Sequence, residues 1–203
     1  MDVCLIDYGA GNLASVIKAL HAAGSAPRIT AEPAIVARAR AIVVPGVGHF
    51  ERTSAITPGL RAAVEDALRS GAALFGICLG MQWLFDGSRE APGVAGLGAL
   101  PGLCEALPPA PGLKIPHVGW NVLAPTEADS RLLEGVAHGA YAYFTHSYVA
   151  PGTPAATAVT SHGATFPAIV EHGRVSGVQF HPEKSGEAGL QILQNFLRIA
   201  EAD

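Results

Sequence analysis

The chain has 203 residues, of which 49% are hydrophobic and 15% are charged, and its formal net charge is −4. This composition predicts one compact globular domain, residues 1–203, and argues against disorder. No Lys/Arg cluster is present to bind phosphates, and no apolar run reaches the roughly 18 residues of a membrane span, so we expect no nucleic-acid partner, no membrane contact and no signal or anchor. Three cysteines without a CxxC spacing fit neither a disulfide framework nor a zinc site, and they favour a cytoplasmic location.

The first part of the chain alternates short apolar runs with amphipathic segments. Gly9 and Gly11 lack the third glycine of a dinucleotide fingerprint, so no cofactor is predicted there. The alternation of strands with helices predicts an α/β fold with a mostly parallel open sheet, helices on both faces and a ligand site at the carboxyl ends of the strands. Strands are predicted over residues 3–6, 27–30, 41–44 and 72–77, and helices over 13–20, 32–40 and 60–68, the last helix being closed by Gly71.

From Ala91 onward, glycines and prolines interrupt any helical pattern until the last segment. Residues 114–121 form a loop that enters a strand, and an apolar stripe over 190–199 predicts a final helix. We therefore expect an antiparallel extension of the sheet, inserted late in the chain. Its strands are predicted over 141–144 and 155–160, with a hairpin of 166–171 and 174–180 about His172 and Gly173.

One cysteine ends the apolar run at residues 72–77. Gly76-Ile77-Cys78-Leu79-Gly80 has the glycine spacing of a nucleophile elbow, in which a tight strand-to-helix turn tolerates no bulk on either side of its apex. The spacing predicts that the sulfur lies exposed above the sheet, at a helix N-terminus where unpaired N–H groups favour the thiolate. A buried structural cysteine is the alternative, because free cysteine is among the most buried residue types.

A histidine and a carboxylate lie two residues apart in the segment from Gly177 to Glu183. In an extended segment His181 and Glu183 project to the same side, and Pro182 favours that conformation. The carboxylate can then hold the imidazole Nδ1–H and leave Nε2 free to take a proton from a thiol, which predicts a triad of Cys78, His181 and Glu183. The alternatives are an incidental ion pair and a zinc site with these three ligands. Because the other histidines are scattered, no metal is predicted.

Acyl transfer also needs hydrogen-bond donors for the oxyanion. The Leu79 N–H, one residue past the nucleophile, is the natural first donor. The turn Pro45-Gly46-Val47-Gly48 ends a neighbouring strand and is the natural source of the second, from Val47 or Gly48. An ordinary βα turn is the alternative interpretation of this segment.

Two of these motifs, residues 76–82 and 177–185, resemble the triad class of glutamine amidotransferases. Further segments are similar to the family of glutaminase subunits of imidazole glycerol phosphate synthase, which serves histidine biosynthesis. Val47 between two glycines is typical of this family, whereas Val118 stands where methionine is common. The resemblance covers nearly the whole chain. Its additional segments are 7–13 (DYGAGNL), 45–50 (PGVGHF), 116–121 (PHVGWN) and 143–148 (YFTHSY).

The resemblance implies a flavodoxin-like, class I glutamine amidotransferase fold that hydrolyses L-glutamine to glutamate and ammonia. It makes Cys78 the nucleophile, His181 the proton shuttle and Glu183 the orienting carboxylate. A separate (β/α)8 cyclase subunit is implied as the heterodimer partner that uses the ammonia to make imidazole glycerol phosphate and AICAR, and no cofactor is implied. The residues expected to hold glutamine are Gly48, Gln82, Ser147 and Tyr148, and those expected to face the cyclase are Asn12, Pro116, Val118, Trp120 and Lys184.

Two other interpretations stay open from the sequence. The chain could serve another amidotransferase system, such as that of pyridoxal phosphate or anthranilate, although the segment 117–121 argues against it. It could also be a non-catalytic regulatory subunit that keeps the fold, although intact Cys78, His181 and Glu183 argue against that.

Overall fold

A computed structural model of the chain describes residues 2–202, and thirteen strands and five α-helices lie within this range. The strands are β1 Asp2–Ile6, β2 Ala26–Thr30, β3 Ala41–Val44, β4 Ala73–Ile77, β5 Gly87–Ser88, β6 Leu103–Ala106, β7 His117–Val122, β8 Ala124–Pro125, β9 Tyr141–His146, β10 Tyr148–Val149, β11 Ala156–Ser161, β12 Thr165–His172 and β13 Val175–Val178. The helices are α1 Leu13–Ala22, α2 Pro33–Val36, α3 Pro58–Arg69, α4 Leu79–Trp83 and α5 Gly186–Glu201, with 3-10 segments at Phe50–Ala55 and Pro182–Lys184.

Eight strands form one open sheet in the order β2-β1-β3-β4-β13-β12-β11-β8. The first five strands in this order run parallel, and β12, β11 and β8 continue the sheet in antiparallel pairs. A separate ribbon pairs β7 with β9, and a small sheet joins β10, β6 and β5. The predicted fold class, a mostly parallel α/β sheet with an antiparallel extension, is confirmed.

Helices cover both faces of the sheet. Along β1, Val3 and Leu5 pack into the core that contains α1 and α5, while Cys4 and Ile6 pack into the core that contains α2 and α3. Because both faces are covered, β3 and β4 are buried at every position and read as continuous apolar runs. None of the helices in residues 2–202 has the length and apolar character needed to cross a membrane.

Two predicted elements differ from the structure. Helix α2 ends at Val36, earlier than the predicted residue 40, because Val36 is its one buried residue and β3 already begins at Ala41. The segment that follows β13 is not extended throughout, since Pro182–Lys184 forms a 3-10 turn. The predicted end of α3 is confirmed, because Gly71 follows the helix with a φ of 89°.

The turn between β4 and α4 packs against β3 and leaves no room for extra side chains. A Cβ on Gly80 would lie 1.9 Å from the Val44 carbonyl oxygen, and a Cβ on Gly76 would lie 2.5 Å from the Gly80 carbonyl oxygen. Both obstacles are backbone atoms in buried elements, which cannot move aside as the end of a flexible side chain can. The glycine spacing around Cys78 is therefore required by the packing of strand against helix.

We expect Gly80→Ala to lower the melting temperature by roughly 6–12 °C, because overpacking at a rigid buried contact costs up to about 3 kcal/mol. Gly152→Ala is the matched control, since a Cβ there meets nothing within 4 Å and the residue has no positive φ. Thermal unfolding followed by circular dichroism measures both variants. Equal melting temperatures for the two would contradict the packing argument.

Candidate active site

Cys78 occupies the apex of the turn between β4 and α4. Its φ is 52° and its ψ is −106°, and it is the one non-glycine residue with a positive φ within residues 2–202. Such a backbone conformation is costly for an L-residue and persists where the surrounding structure enforces it, which is typical of a nucleophile elbow. The predicted sequence of strand, sharp turn and helix around Cys78 is confirmed.

The prediction that the Cys78 sulfur is exposed above the sheet is wrong, because the residue is only 4% exposed. Two neighbours from distant parts of the chain cover it. The Cys78 thiol lies 3.9 Å from the Thr145 carbonyl oxygen, and Gln179 Nε2 donates to the sulfur at 3.5 Å. Although it is buried, Cys78 borders a cavity.

His181 and Glu183 form a buried pair beside Cys78. His181 Nδ1 lies 2.8 Å from Glu183 Oε1, and both side chains are almost fully buried. The 3-10 turn that begins at Pro182 brings the carboxylate back to the imidazole, so a turn makes the contact that an extended segment was predicted to make. The His181 backbone N–H donates to the Tyr143 carbonyl oxygen at 2.9 Å, which anchors the pair on β9.

The surroundings of His181 favour its charged form. Burial lowers the pKa of His181, but the side chains of Cys78 and Glu183 act in the opposite direction and together raise this pKa to about 10. His181 Nε2 is buried and has no hydrogen-bond partner among residues 2–202. The imidazole can therefore receive a proton from the thiol at Nε2 while Glu183 holds Nδ1.

A cavity of about 230 Å³ borders Cys78. It lies at the carboxyl ends of β3 and β4, where a fold of this class predicts a ligand site. Every residue that was predicted to bind the oxyanion or the substrate borders this cavity. The lining consists of Val47, Gly48, Cys78, Leu79, Gln82, Glu90, Pro116, Thr145, His146, Ser147 and Tyr148.

Two buried glutamines connect the wall of this cavity to the sulfur. Gln82 Nε2 donates to the Tyr148 carbonyl oxygen at 2.9 Å and to Gln179 Oε1 at 3.1 Å. Gln179 Nε2 in turn donates to Cys78 Sγ. Because both hydrogens of the Gln82 amide are used within the protein, its side-chain oxygen is the group left to meet a ligand.

The turn that is predicted to supply an oxyanion donor packs tightly against α4. A Cβ on Gly46 would lie 2.4 Å from Tyr8 Oη and 2.7 Å from Leu79 Cβ, so only glycine fits there. Tyr8 Oη donates to the Pro45 carbonyl oxygen at 2.7 Å and fixes the start of the turn. Within the described part of the chain, the N–H groups of Val47 and Leu79 donate no hydrogen bond, so both remain available to a ligand.

Residues 4–200 match the family model of class-I glutamine amidotransferases. The chain belongs to this family. It is 48% identical, over 97% of its own length and 93% of the relative's, to the imidazole glycerol phosphate synthase subunit HisH of Deinococcus radiodurans. It is 45% identical to the protein of the same name from Methanothermobacter thermautotrophicus, over 98% of this chain and 100% of that protein.

Solved structures show the same fold as this amidotransferase. A crystal structure of a glutamine amidotransferase matches it with a TM-score of 0.76 and 22% identity, over 98% of this chain and 99% of that chain. PurLQS from Thermotoga maritima matches with a TM-score of 0.67 and 20% identity, over 97% of each chain. At these identities the likeness concerns the fold alone.

Two residues at the cavity or beside Cys78 were not predicted from the sequence. Glu90 lines the cavity, and its Oε2 accepts the Phe50 N–H at 2.7 Å. No local pattern marks Glu90, because it lies in an irregular segment between β5 and β6. Gln179 could have been predicted, because it is a polar residue between the apolar residues Val178 and Phe180, and all three are buried.

Three of the residues expected to face a partner are Val118, Trp120 and Lys184, and the last two contact Tyr143. Val118 and Trp120 project from β7 and are 57% and 56% exposed. The Trp120 ring meets the Tyr143 ring edge-on, with centroids 6.1 Å apart, and Lys184 Nζ lies 5.5 Å from the centre of the Tyr143 ring. An exposed aromatic surface with an adjacent cation is typical of a protein-docking site.

The other two residues expected at the interface are also exposed. Pro116 precedes β7 and borders the cavity as well. Asn12 caps α1, where its Oδ1 accepts the Ser15 N–H at 3.3 Å. Its local role as a helix cap does not use its side-chain amide nitrogen, which is left for another contact.

Proposed function

We propose that this chain is the glutaminase subunit of imidazole glycerol phosphate synthase and hydrolyses L-glutamine to glutamate and ammonia. The observation that carries the proposal is that Cys78 lines the cavity and that the His181 and Glu183 pair lies beside it. Two relatives named imidazole glycerol phosphate synthase subunit HisH, 45% and 48% identical over nearly the whole chain, support imidazole glycerol phosphate synthase as the enzyme to which the subunit belongs. A non-catalytic subunit has no need of a strained residue at this position.

The reaction begins with Cys78 and His181. The thiol proton passes to His181 Nε2, and the sulfur attacks the side-chain amide carbon of glutamine. The tetrahedral adduct collapses as His181 returns the proton to the leaving nitrogen, which departs as ammonia and leaves a thioester. Water then attacks the thioester, His181 accepts a proton from the water, and glutamate is released with the thiol restored.

The negative oxygen of the tetrahedral adduct needs donors in place before it forms. The unpaired N–H of Leu79 follows Cys78 directly, and Val47 and Gly48 line the same cavity. Gly46 allows this turn to approach α4 closely. The Leu79 N–H and an N–H of this neighbouring turn are therefore the proposed donors to one oxygen bound at Cys78.

The remaining cavity residues are suited to hold the amino-acid end of glutamine. Gln82 offers a side-chain oxygen, and Ser147 and Tyr148 offer side-chain hydroxyl groups. Glu90 is the acidic residue of the cavity lining, and a carboxylate there complements the α-ammonium group of the substrate. These residues would orient the substrate amide toward Cys78.

The partner in this proposal is a (β/α)8 cyclase subunit that receives the ammonia. The relatives of this chain are named as one subunit of the synthase, which favours a cyclase on a separate chain, and residues 2–202 contain no barrel of this kind. Val118, Trp120 and Lys184, with Pro116 and Asn12, supply the docking surface. A cytoplasmic location belongs to the proposal, since Cys4, Cys78 and Cys104 are all free.

The function is tested by mixing the chain with the cyclase subunit and measuring glutamate release from L-glutamine. The same mixture is then given the ribulosyl nucleotide substrate, and its turnover is followed with glutamine as the sole nitrogen source. We expect both reactions to proceed. Turnover with ammonium salt but never with glutamine would overturn the proposal.

We expect His181→Ala to lower kcat by about 10²–10⁴-fold, because the proton shuttle is lost. Glu183→Gln keeps the size of the side chain but removes the charge that stabilises the imidazolium 2.8 Å away, so a smaller loss is expected. Steady-state glutaminase kinetics of the complex compare the two variants. Equal losses would mean that Glu183 does more than orient His181, and no loss would remove Glu183 from the mechanism.

A further inference from the structure

Two buried histidines form a pair at the cavity, and one of them, His146, borders it. His117 begins β7, His146 ends β9, and the two stand directly opposite each other in the antiparallel register. His117 Nδ1 lies 3.1 Å from His146 Nε2. We refer to His117 and His146 as the histidine pair. No step of the glutamine hydrolysis uses either ring.

Hydrogen bonds fix which nitrogen of His117 carries the proton. The side-chain oxygen of Asn121 accepts the Val122 N–H, and its amide nitrogen donates to the Ser161 carbonyl oxygen at 2.9 Å, which settles the orientation of the amide. The same nitrogen lies 3.3 Å from His117 Nε2, which must therefore accept. A neutral His117 then carries its proton on Nδ1 and donates it toward His146.

The same reasoning fixes His146. Its Nε2 accepts from His117 Nδ1, so its own proton lies on Nδ1. His146 Nδ1 is 3.1 Å from the Tyr148 carbonyl oxygen and donates to it. The donor sequence thus runs in one direction, from Asn121 through both histidines to the backbone at Tyr148.

The histidine pair stays uncharged in the folded protein. Burial lowers the pKa of His146 to about 3 and that of His117 to about 4. Two other titratable groups face the pair, His162 and His181. The His162 ring stacks on the His117 ring with centroids 4.3 Å apart, and a positive charge on His162 or His181 disfavours protonation of the pair. The neutral donor sequence is therefore the form present at physiological pH.

The end of this donor sequence is the wall of the glutamine cavity. The Tyr148 carbonyl oxygen accepts from His146 and also from Gln82, so one backbone atom joins the histidine pair to the network that reaches Cys78. His146 bonds a carbonyl two residues ahead, which shapes the bend that contains Ser147. The Ser147 carbonyl oxygen is itself occupied by the Leu107 N–H at 2.8 Å, so the bend has a defined position.

We propose that His117 and His146 are positioning residues that hold the Ser147 and Tyr148 wall in the geometry that binds glutamine. This proposal rests on the proposed function, because it assigns glutamine to the cavity. The histidine pair acts on substrate affinity, since it contacts the wall and neither the sulfur nor His181 by a hydrogen bond within residues 2–202. It also ties that wall to β7, which carries Val118 and Trp120 on its exposed side.

Two substitutions at His146 separate the donor to Tyr148 from the bulk of the ring. In His146→Asn the amide nitrogen stands near the former Nδ1 and keeps the donor to Tyr148, whereas His146→Gln places its amide near Nε2, toward His117. Both lose the same ring packing against Phe144 and Phe166. We expect His146→Gln to raise the glutaminase KM about tenfold, with His146→Asn within about threefold of the unchanged protein and kcat similar in both. The measurements use the complex with cyclase.

A KM that rises equally in the two variants would overturn the proposal, because the ring and not its donor would then matter. Nitrogen NMR of the labelled chain gives a second readout that needs no turnover. It should show His117 and His146 protonated on Nδ1 alone and unchanged between pH 5 and pH 8. Protonation of His146 on Nε2, or titration of either ring in this range, would overturn the role proposed for the histidine pair, even if glutamine hydrolysis were established. Absence of glutamine hydrolysis by the unchanged complex would instead count against the proposed function.

Discussion

Cys78→Ser is expected to lower glutaminase kcat/KM by on the order of 10⁴-fold or more, because a serine hydroxyl is a much weaker nucleophile than a cysteine sulfur. The chain should remain folded, since serine keeps the size of a side chain that is only 4% exposed and lies among close neighbours. The cyclase complex should still turn over with ammonium salt, because that reaction needs ammonia and not the sulfur. Glutamate release and ammonium-dependent turnover are measured on the same preparation.

Cys4→Ser is the matched control for this experiment, since Cys4 is also a buried free thiol but lies in β1 away from the cavity lining. A diazoketone analogue of glutamine should label Cys78 alone. Burial raises the pKa of Cys4 to about 11 and that of Cys104 to about 12, which leaves both as unreactive thiols. Labelling of either one with Cys78 untouched would refute the assignment of the nucleophile.

The elbow could be predicted from the sequence because its constraints are local. Gly76 and Gly80 lie within two residues of Cys78, and the packing that forbids a side chain at each involves the adjoining strand and helix. The alternation of strands and helices likewise follows from periodicity over short windows. Local rules of this kind are enough to place Cys78, Leu79 and Gln82 at the carboxyl end of β4.

The burial of the sulfur could not be predicted in the same way. Gln179 is 101 residues from Cys78 in sequence and Thr145 is 67, and no short pattern specifies that they cover the thiol. The 3-10 turn at Pro182 could not be predicted for a similar reason, because proline fixes its own φ but does not determine whether the next residues are extended or helical. The backbone bond from His181 to Tyr143 on β9 is a tertiary contact, and it holds the turn in place.

The turn from Pro45 to Gly48, which we propose supplies an oxyanion donor, is enclosed at its start and more open at Val47. Tyr8 fixes the Pro45 carbonyl oxygen, and Gly46 is enclosed by Tyr8 and Leu79. Val47 is partly exposed, and its N–H has no hydrogen-bond partner within residues 2–202. A β-branched residue at this point restricts the peptide to fewer conformations than glycine would. The orientation of the second donor can therefore depend on what binds to the chain.

We expect the isolated chain to hydrolyse glutamine on the order of 10²–10³-fold more slowly than the chain with cyclase and its nucleotide substrate, which is the effect of one missing oxyanion donor. Docking at Trp120 and Lys184 would couple the partner to the site, because Lys184 follows Glu183 directly. Glutaminase rates are measured for the chain alone, with cyclase, and with cyclase and nucleotide. Val47→Gly is the informative variant, since glycine allows the peptide more backbone conformations. It should raise the glutaminase rate of the isolated chain and so reduce the ratio between the rates of the full complex and the isolated chain. A chain that is fully active alone and unaffected by either addition would show that the turn is already formed.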